Sequence, residues 1–334
     1  MGLKIAVLMG GSSFERDFSL ASGKRVCEAL EAAGHKVVPL DTTSALVPTL
    51  RSERPDVVYS ALHGKHGEDG TIQSLLELLG IPYVGSSAAV ARNAYNKATV
   101  AGRLAAYREA VGASSCAATP ESLCISRDAF KDMGAATALD LVAERIGGGF
   151  PLAVKPARGG SAMGVHRVDS LDELGVAILD ALTFDSEVFI ARWVEGVEVA
   201  VSVVGSGEGA RALPPVEIVP KQGLYDTEAR LDADAVDFFA PPRRESLGAT
   251  DADAAATCEA LEAAALEVFR AYGMRDLGRI DMVWDGERAQ VLEVNVSPGM
   301  TELSLFPMAC EAEGSSLSSM LAELVEARVS AASK

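Results

Sequence analysis

Near the C-terminal end, Gly278-Arg279-Ile280-Asp281-Met282-Val283-Trp284 and Gln290-Val291-Leu292-Glu293-Val294-Asn295 set ionised groups inside two apolar segments. The intervening Asp285-Gly286-Glu287-Arg288-Ala289 has turn composition, so the pair reads as a hairpin. With a five-residue loop at 285–289, Asp281 lies directly opposite Glu293, on the face that also carries Arg279 and Asn295. Like charges opposed across two strands repel, and a cation relieves that conflict. Two carboxylates and an amide oxygen are hard ligands of the kind magnesium takes while keeping waters and phosphates. An exposed hairpin with a merely solvated charged face is the alternative, and the apolar residues around the carboxylates count against it. Ser297-Pro298-Gly299-Met300-Thr301 follows directly. Gly299 lets backbone approach a ligand there, and its N–H, with Arg279, suits a developing oxyanion.

Two other constellations supply complementary chemistry. Val154-Lys155-Pro156-Ala157-Arg158-Gly159-Gly160-Ser161-Ala162-Met163-Gly164 is a strand running into a glycine-rich loop, whose amides can cradle phosphate while Lys155 and Lys97 add point charges. It has neither the phosphate-loop spacing nor the dinucleotide fingerprint, and a glycine-rich surface hairpin is the plainer reading. Gly10-Gly11-Ser12-Ser13-Phe14-Glu15-Arg16 and Ala61-Leu62-His63-Gly64-Lys65-His66-Gly67-Glu68-Asp69-Gly70 each follow a strand-like segment. Loops at the carboxyl ends of parallel strands line ligand crevices, so these two segments meet there. Glu15 suits an ammonium group. His63 has no carboxylate partner identifiable from sequence and is assigned to positioning rather than base catalysis.

The elements that must hold these residues follow from periodicity. Strands at 5–8, 37–40, 57–61 and 82–84 alternate with helices over about 20–33 and 71–79, which predicts a largely parallel sheet covered by helices. From Lys97 come helical sequence, an irregular stretch at 113–128, and strands at 152–156 and 187–193. A third part carries strands at 197–204 and 216–219, a polar loop at 221–240, a helix over 254–272, the hairpin and a last helix. The boundaries expected are therefore 1–96, 97–194 and 195–334. A length of 334 residues at 49% hydrophobic content fits two or three cores. Lys and Arg number 30 against 47 Asp and Glu, a net charge of −17, which argues against nucleic acid as a partner. The five scattered cysteines suggest neither disulfides nor zinc. No apolar run is long enough to span a membrane. A cytoplasmic protein is expected.

Arg279-Ile280-Asp281, Glu293-Val294-Asn295, Pro298-Gly299-Met300-Thr301 and His63-Gly64 through Gly67-Glu68-Asp69-Gly70 together resemble the D-alanine D-alanine ligases of the ATP-grasp superfamily. The likeness spans nearly the whole chain. It implies an ATP-grasp architecture of α/β and α+β parts behind an N-terminal open parallel-sheet domain, with ATP between the central and C-terminal domains, usually in a homodimer. It implies two magnesium ions, with manganese a possible substitute, on Asp281, Glu293 and Asn295. Lys97, Lys155 and Ser161 match phosphate-loop contacts, Arg192 and Val194 the adenine-binding strand, and Glu198 the ribose contact. Glu15 and His63 match the site of the first D-alanine, Arg279 and Gly299 the oxyanion site, and Ser304 and Leu305 the cradle of the second carboxylate. The implied reaction phosphorylates one D-alanine carboxylate, and the second amine then attacks the acyl phosphate to give the dipeptide of peptidoglycan precursors. The residues assigned to catalysis are Glu15, Ser161, Arg279 and Gly299.

The chain departs from the family at several points. Leu224-Tyr225-Asp226-Thr227-Glu228-Ala229-Arg230-Leu231 aligns with a segment that normally ends in Lys-Tyr. Arg230 is the substrate-side cation there, whereas Leu231 replaces a tyrosine that in the family bonds the residues matching Ser161 and Glu15. Ala191 stands where a glutamate usually contacts adenine, and Gly159 and Val296 are further differences. An acceptor other than D-alanine, such as D-serine or D-lactate, and a non-catalytic ATP-binding descendant are the competing readings.

Overall fold

The computed structural model describes residues 2–112, 115–146, 149–221, 223, 225 and 234–332. Four parallel strands open the chain: β1 (Lys4–Met9), β2 (Lys36–Asp41), β3 (Val57–Ser60) and β4 (Tyr83–Val84), in spatial order β2-β1-β3-β4. Helices Arg16–Ala32, Leu46–Glu53 and Thr71–Leu79 connect them. Ile5, Ala6, Val7 and Leu8 of β1 are all fully buried, the continuous apolar run expected of a parallel strand covered on both faces.

Residues 113–128, read from sequence as irregular, contain two short strands, β5 (Ala117–Ala118) and β6 (Ser122–Ser126). These belong to different sheets. β6 joins β7 (Leu152–Pro156), β8 (His166–Val168) and β9 (Glu187–Arg192) in a four-stranded antiparallel sheet ordered β6-β9-β7-β8. Helix Leu171–Phe184 covers it, burying Leu174, Ala177, Ile178 and Ala181 at helical spacing. β5 instead pairs in parallel with the far edge of the last sheet.

That last sheet holds β10 (Val197–Ser206), β11 (Arg211–Ala212), β12 (Val216–Pro220), β13 (Val236–Phe239), β14 (Arg275–Trp284) and β15 (Ala289–Asn295). Its order is β13-β12-β10-β14-β15-β5, with β11 on β10. The stretch read as a polar loop at 221–240 ends in β13, whose alternating Val-Asp-Phe-Phe pairs with β12 along the sheet edge. Helix Asp251–Tyr272 lies on this sheet, starting at a capping box between Thr250 and Asp253. It buries Leu261, Ala264, Ala265, Val268 and Phe269 against Ile280, Met282, Val291 and Val294. At about 1.5–3 kcal/mol for each large side chain buried, this contact surface is a main stabiliser of the strands that carry the acidic residues.

The hairpin departs from the expected register in an instructive way. Its loop is four residues, 285–288, closed by the Asp285 N–H on the Arg288 carbonyl at 3.2 Å. Trp284 therefore faces Ala289, and Met282 faces Val291. A bulge then takes up Leu292, so that Asp281 faces Glu293 and Arg279 faces Asn295 after all. The expected loop was one residue too long, and the bulge offsets it.

The N-terminal unit is fastened to this sheet. Asp276, buried and in the left-handed region at φ 66°, accepts from the Gly85 N–H at 2.8 Å and pairs with both Arg328 donors. Helix Leu317–Ala332, which carries Arg328, packs its Leu321, Leu324 and Val325 into one core with Ile5, Val26, Leu30 and Tyr59. Among the described residues no helix is long and apolar enough to cross a membrane.

Candidate functional site

Two adjoining cavities lie where the three sheets meet. The larger, of about 450 Å³, is lined from β7 and its glycine loop by Lys155, Gly159, Gly160 and Met163, from β9 and beyond by Ala191, Arg192 and Val194, and from the last sheet by Glu198, Asp281 and Glu293. Lys97 lines it as well. The smaller, of about 270 Å³, is lined by Glu15, His63, Ser161, Arg279, Asn295, Gly299, Ser304 and Leu305. Among the described residues, Gly160, Met163, Tyr225 and Glu293 line both and form their shared wall.

Cations and carboxylates are interleaved in the larger cavity. Lys97, 7% exposed, donates from Nζ to the Gly159 carbonyl at 2.6 Å and stands 3.9 Å from Glu293 Oε1. Burial and the neighbouring Lys97 push the Lys155 ammonium down, while Glu293, Glu198 and Asp281 oppose that shift. Arg279 forks onto Asp281, Nε to Oδ1 at 2.6 Å and Nη2 to Oδ2 at 2.8 Å. Burial would push its guanidinium down, but Asp281 holds it well above its ordinary value. The acid pair thus has Arg279 on Asp281 and Lys97 near Glu293, a balance of charge that a phosphate chain with its cations can replace. Asp281, Glu293 and Asn295 offer a hard oxygen set that fits magnesium. Asn295 Oδ1 also accepts from the Ser297 N–H at 2.8 Å, which fixes the amide's orientation. Among the described residues no group of three or more His, Cys, Asp or Glu side chains is placed to hold a metal.

In the smaller cavity carboxylates converge. Burial and the charge of Glu68 push the Glu15 carboxyl above its ordinary value, against the lowering effects of Ser161 and His63. Ser161 donates its hydroxyl to Glu15 Oε1. Ser161 and Ala162 both adopt positive φ, 52° and 54°, a conformation costly for residues with a Cβ and often found where a loop holds a ligand. Ser161 thus faces the smaller cavity, whereas Lys97 and Lys155 line the larger one.

His63 does have a carboxylate partner. Its Nδ1 lies 3.3 Å from Glu68 Oε1, and its Nε2 is buried with no hydrogen-bond partner among the described residues. The partner sits five residues on, inside the same glycine-rich segment, and the turn at Gly64 to Gly67 brings the two together. Gly64 is required there, since at φ 69° an added Cβ would run into the Glu15 carboxylate. By contrast, Arg16 is scaffold. It forks onto Asp41 at 2.7 and 3.2 Å and onto the Gly11 carbonyl at 2.8 Å. The Arg16 hydrogen bonds, joined by the Gly11 and Thr42 amides, hold Asp41 down at about 2.

At the far wall Thr301 donates its N–H to Ser304 Oγ at 2.9 Å, and helix Leu305–Ala312 begins immediately after. Its N-terminus gives a positive end beside Gly299 and Arg279, suited to a carboxylate. Of the residues proposed from sequence, Arg230 lies outside the described residues, as does Leu231. Arg192 and Val194 line the nucleotide-sized cavity, and the Arg192 N–H is occupied by the Glu121 carbonyl at 2.9 Å. Glu68, Phe18, Met163 and Tyr225 line the site without having been assigned to it from sequence.

Comparison with known proteins agrees on one family. The family pattern described as D-ala D-ala ligase C-terminus matches residues 124–326, and that described as D-ala D-ala ligase N-terminus matches residues 47–86. A D-alanine–D-alanine ligase from Desulforudis audaxviator is 35% identical over 328 residues, covering 96% of this chain and 97% of its own. A D-alanine–D-alanine ligase from Bacillus anthracis superposes with a TM-score of 0.77 at 28% identity over 99% of both chains. A D-alanine–D-alanine ligase from Bacillus anthracis complexed with ATP gives 0.73 at 26%, over 99% of this chain and 98% of its own. A D-Ala:D-Ser ligase from Enterococcus faecalis gives 0.77 at 25%, over 98% of this chain and 99% of its own.

Proposed function

The chain belongs to the D-alanine–D-alanine ligase family, an ATP-dependent ligase family of ATP-grasp architecture, and we propose that it joins two D-alanines into the dipeptide used for peptidoglycan precursors. The observation that carries this reading is the shared wall: a cavity with two lysines and paired carboxylates opens onto a second one with a buried acid, an imidazole nitrogen that has no partner among the described residues, and a helix N-terminus.

ATP lies in the larger cavity, its phosphates against Lys97, Lys155 and the glycine loop and its adenosine along Arg192, Val194 and Glu198. Asp281, Glu293 and Asn295 would hold magnesium, two ions by the family resemblance, or manganese in its place, and the bound metal would supply charge neutralisation at the phosphates. Glu15, with Ser161 at its side, binds the first D-alanine's ammonium, while His63 Nε2 meets its carboxylate. That carboxylate oxygen attacks the γ-phosphorus across the shared wall, giving an acyl phosphate and ADP. Ser304, Leu305 and the helix end hold the second D-alanine's carboxylate, and Arg230 serves the substrate side. The second amine attacks the acyl carbon, and Arg279 with the Gly299 N–H stabilises the oxyanion before phosphate leaves. Positioning and electrostatics supply most of the rate. The protein acts in the cytoplasm as a homodimer.

Leu231 in place of the family's tyrosine keeps D-serine or D-lactate open as acceptors, and a D-Ala:D-Ser ligase is among the similar folds. A panel of amino and hydroxy acids with ATP and magnesium, read by ADP release and by product mass, decides between them. D-alanine alone should give ADP and D-alanyl-D-alanine. ADP only when D-serine or D-lactate is added would overturn the proposed acceptor.

A further inference from the structure

Phe18 leaves the first helix one turn after Glu15, so the two side chains share a face. Phe18 is half-buried, lies outside the apolar clusters found among the described residues, and lines the smaller cavity. Its ring meets the His63 imidazole at 4.8 Å between centroids and 59° between planes, a favoured aromatic arrangement. Its Cζ lies under Gly299, where an added Cβ would come within 2.5 Å of it. The ring therefore packs against both His63 and the Gly299 turn. Neither neighbour yields readily: His63 is 4% exposed and held by Glu68, and the approach at Gly299 is to backbone.

In the ligase reading, the first amino acid has its ammonium on Glu15 and its carboxylate between His63 and Gly299. Both groups hang from one α-carbon, so its side chain leaves that carbon close to the ring that fills the space between the anchors. We infer that Phe18 is a specificity-determining residue for the first amino acid, closing its subsite to side chains larger than methyl. This rests on the ligase reading and narrows it: the donor is the smallest of the chiral D-amino acids, whatever the acceptor.

The wild type, Phe18→Val and Phe18→Leu are each given ATP, magnesium and D-alanine with D-2-aminobutyrate, and the order of residues in each dipeptide is read by fragmentation mass spectrometry. One extra methylene in a tight apolar pocket is worth roughly 10–200-fold in kcat/KM, and the wild type should exclude D-2-aminobutyrate from the first position by that factor. Phe18→Val should erase about tenfold or more of this preference at the first position only, with Phe18→Leu between them and guarding against a folding failure. A merely structural Phe18 would instead lower turnover for both amino acids at both positions alike, and that result overturns the inference. So does a wild type that already accepts D-2-aminobutyrate first, or variants that discriminate as the wild type does. If the wild type makes D-alanyl-D-alanine while the variants fail to widen, only this inference falls. If it makes no dipeptide and no ADP from D-alanine, the ligase reading falls with it.

Discussion

The two cavities meet at Glu293 yet differ in how their charges are balanced. On the nucleotide side, lysines and carboxylates alternate on the edges of strands, and the acids already have cationic neighbours in Arg279 and Lys97. A polyanion arriving with its cations exchanges one set of paired charges for another. On the amino-acid side the charges sit on loops and a helix start, and burial, with the nearby charge of Glu68, pushes the Glu15 carboxyl up. The proposed first D-alanine brings an ammonium group to that side. The contrast shows that electrostatics separates the two cavities as well as shape does: the larger already pairs its charges, whereas the smaller is short of the positive charge that its proposed ligand brings.

The largest effect should come at the residue the two sides share. Glu293→Gln keeps the shape but removes the charge that offsets Lys97 and that the proposed metal binding needs, and ADP formation should become undetectable. Unchanged ADP release in that variant would dissolve the distinction between the cavities, because the acid pair would then be ornament to the chemistry. A smaller effect is expected at Glu15→Gln. A charge-assisted hydrogen bond is worth about 1.5–3 kcal/mol, so the KM of the first D-alanine should rise roughly 10–100-fold while the KM of ATP stays put. Because the Glu15 carboxyl titrates above its ordinary value and binds ammonium only when ionised, wild-type KM for that D-alanine should climb as pH falls through the raised value. Glu15→Gln should lose that acid limb, as steady-state kinetics across pH will show. The smallest effect is sharpest in direction. Glu68 is the main charge raising Glu15, so Glu68→Gln should move the acid limb to lower pH. An unmoved or upward-shifted limb would show that the charge of Glu68 does not set the difference between the cavities.

Much of this site is legible in the chain because chemistry stands out against an apolar background. Arg279, Asp281, Glu293 and Asn295 interrupt strands that otherwise bury Ile280, Met282, Val291 and Val294, and charges in such places call for partners. The N-terminal sheet is equally legible from its periodicity. What sequence conceals is what depends on folding in three dimensions. The Glu68 carboxylate reaches His63 only through a tight turn, and Phe18 reads as one more apolar position on a helix until His63 and Gly299 are set beside it. β5 has two residues and takes its identity from a sheet more than 150 positions further along the chain. β13 hides at the end of a polar stretch because an edge strand needs only one apolar face.

The hairpin's extra residue has a further meaning. Removing Leu292 on paper leaves Met282 facing Val291 and Asp281 facing Glu293 in an unbroken ladder, so the residue adds nothing to the count of matched positions. It sits instead on the wall of the nucleotide cavity, at a point where the strand bends and twists more sharply. The hairpin is therefore not a ruler but a vernier: its outer part is graduated for packing, its inner part for aim, and Leu292 is the offset between the two scales.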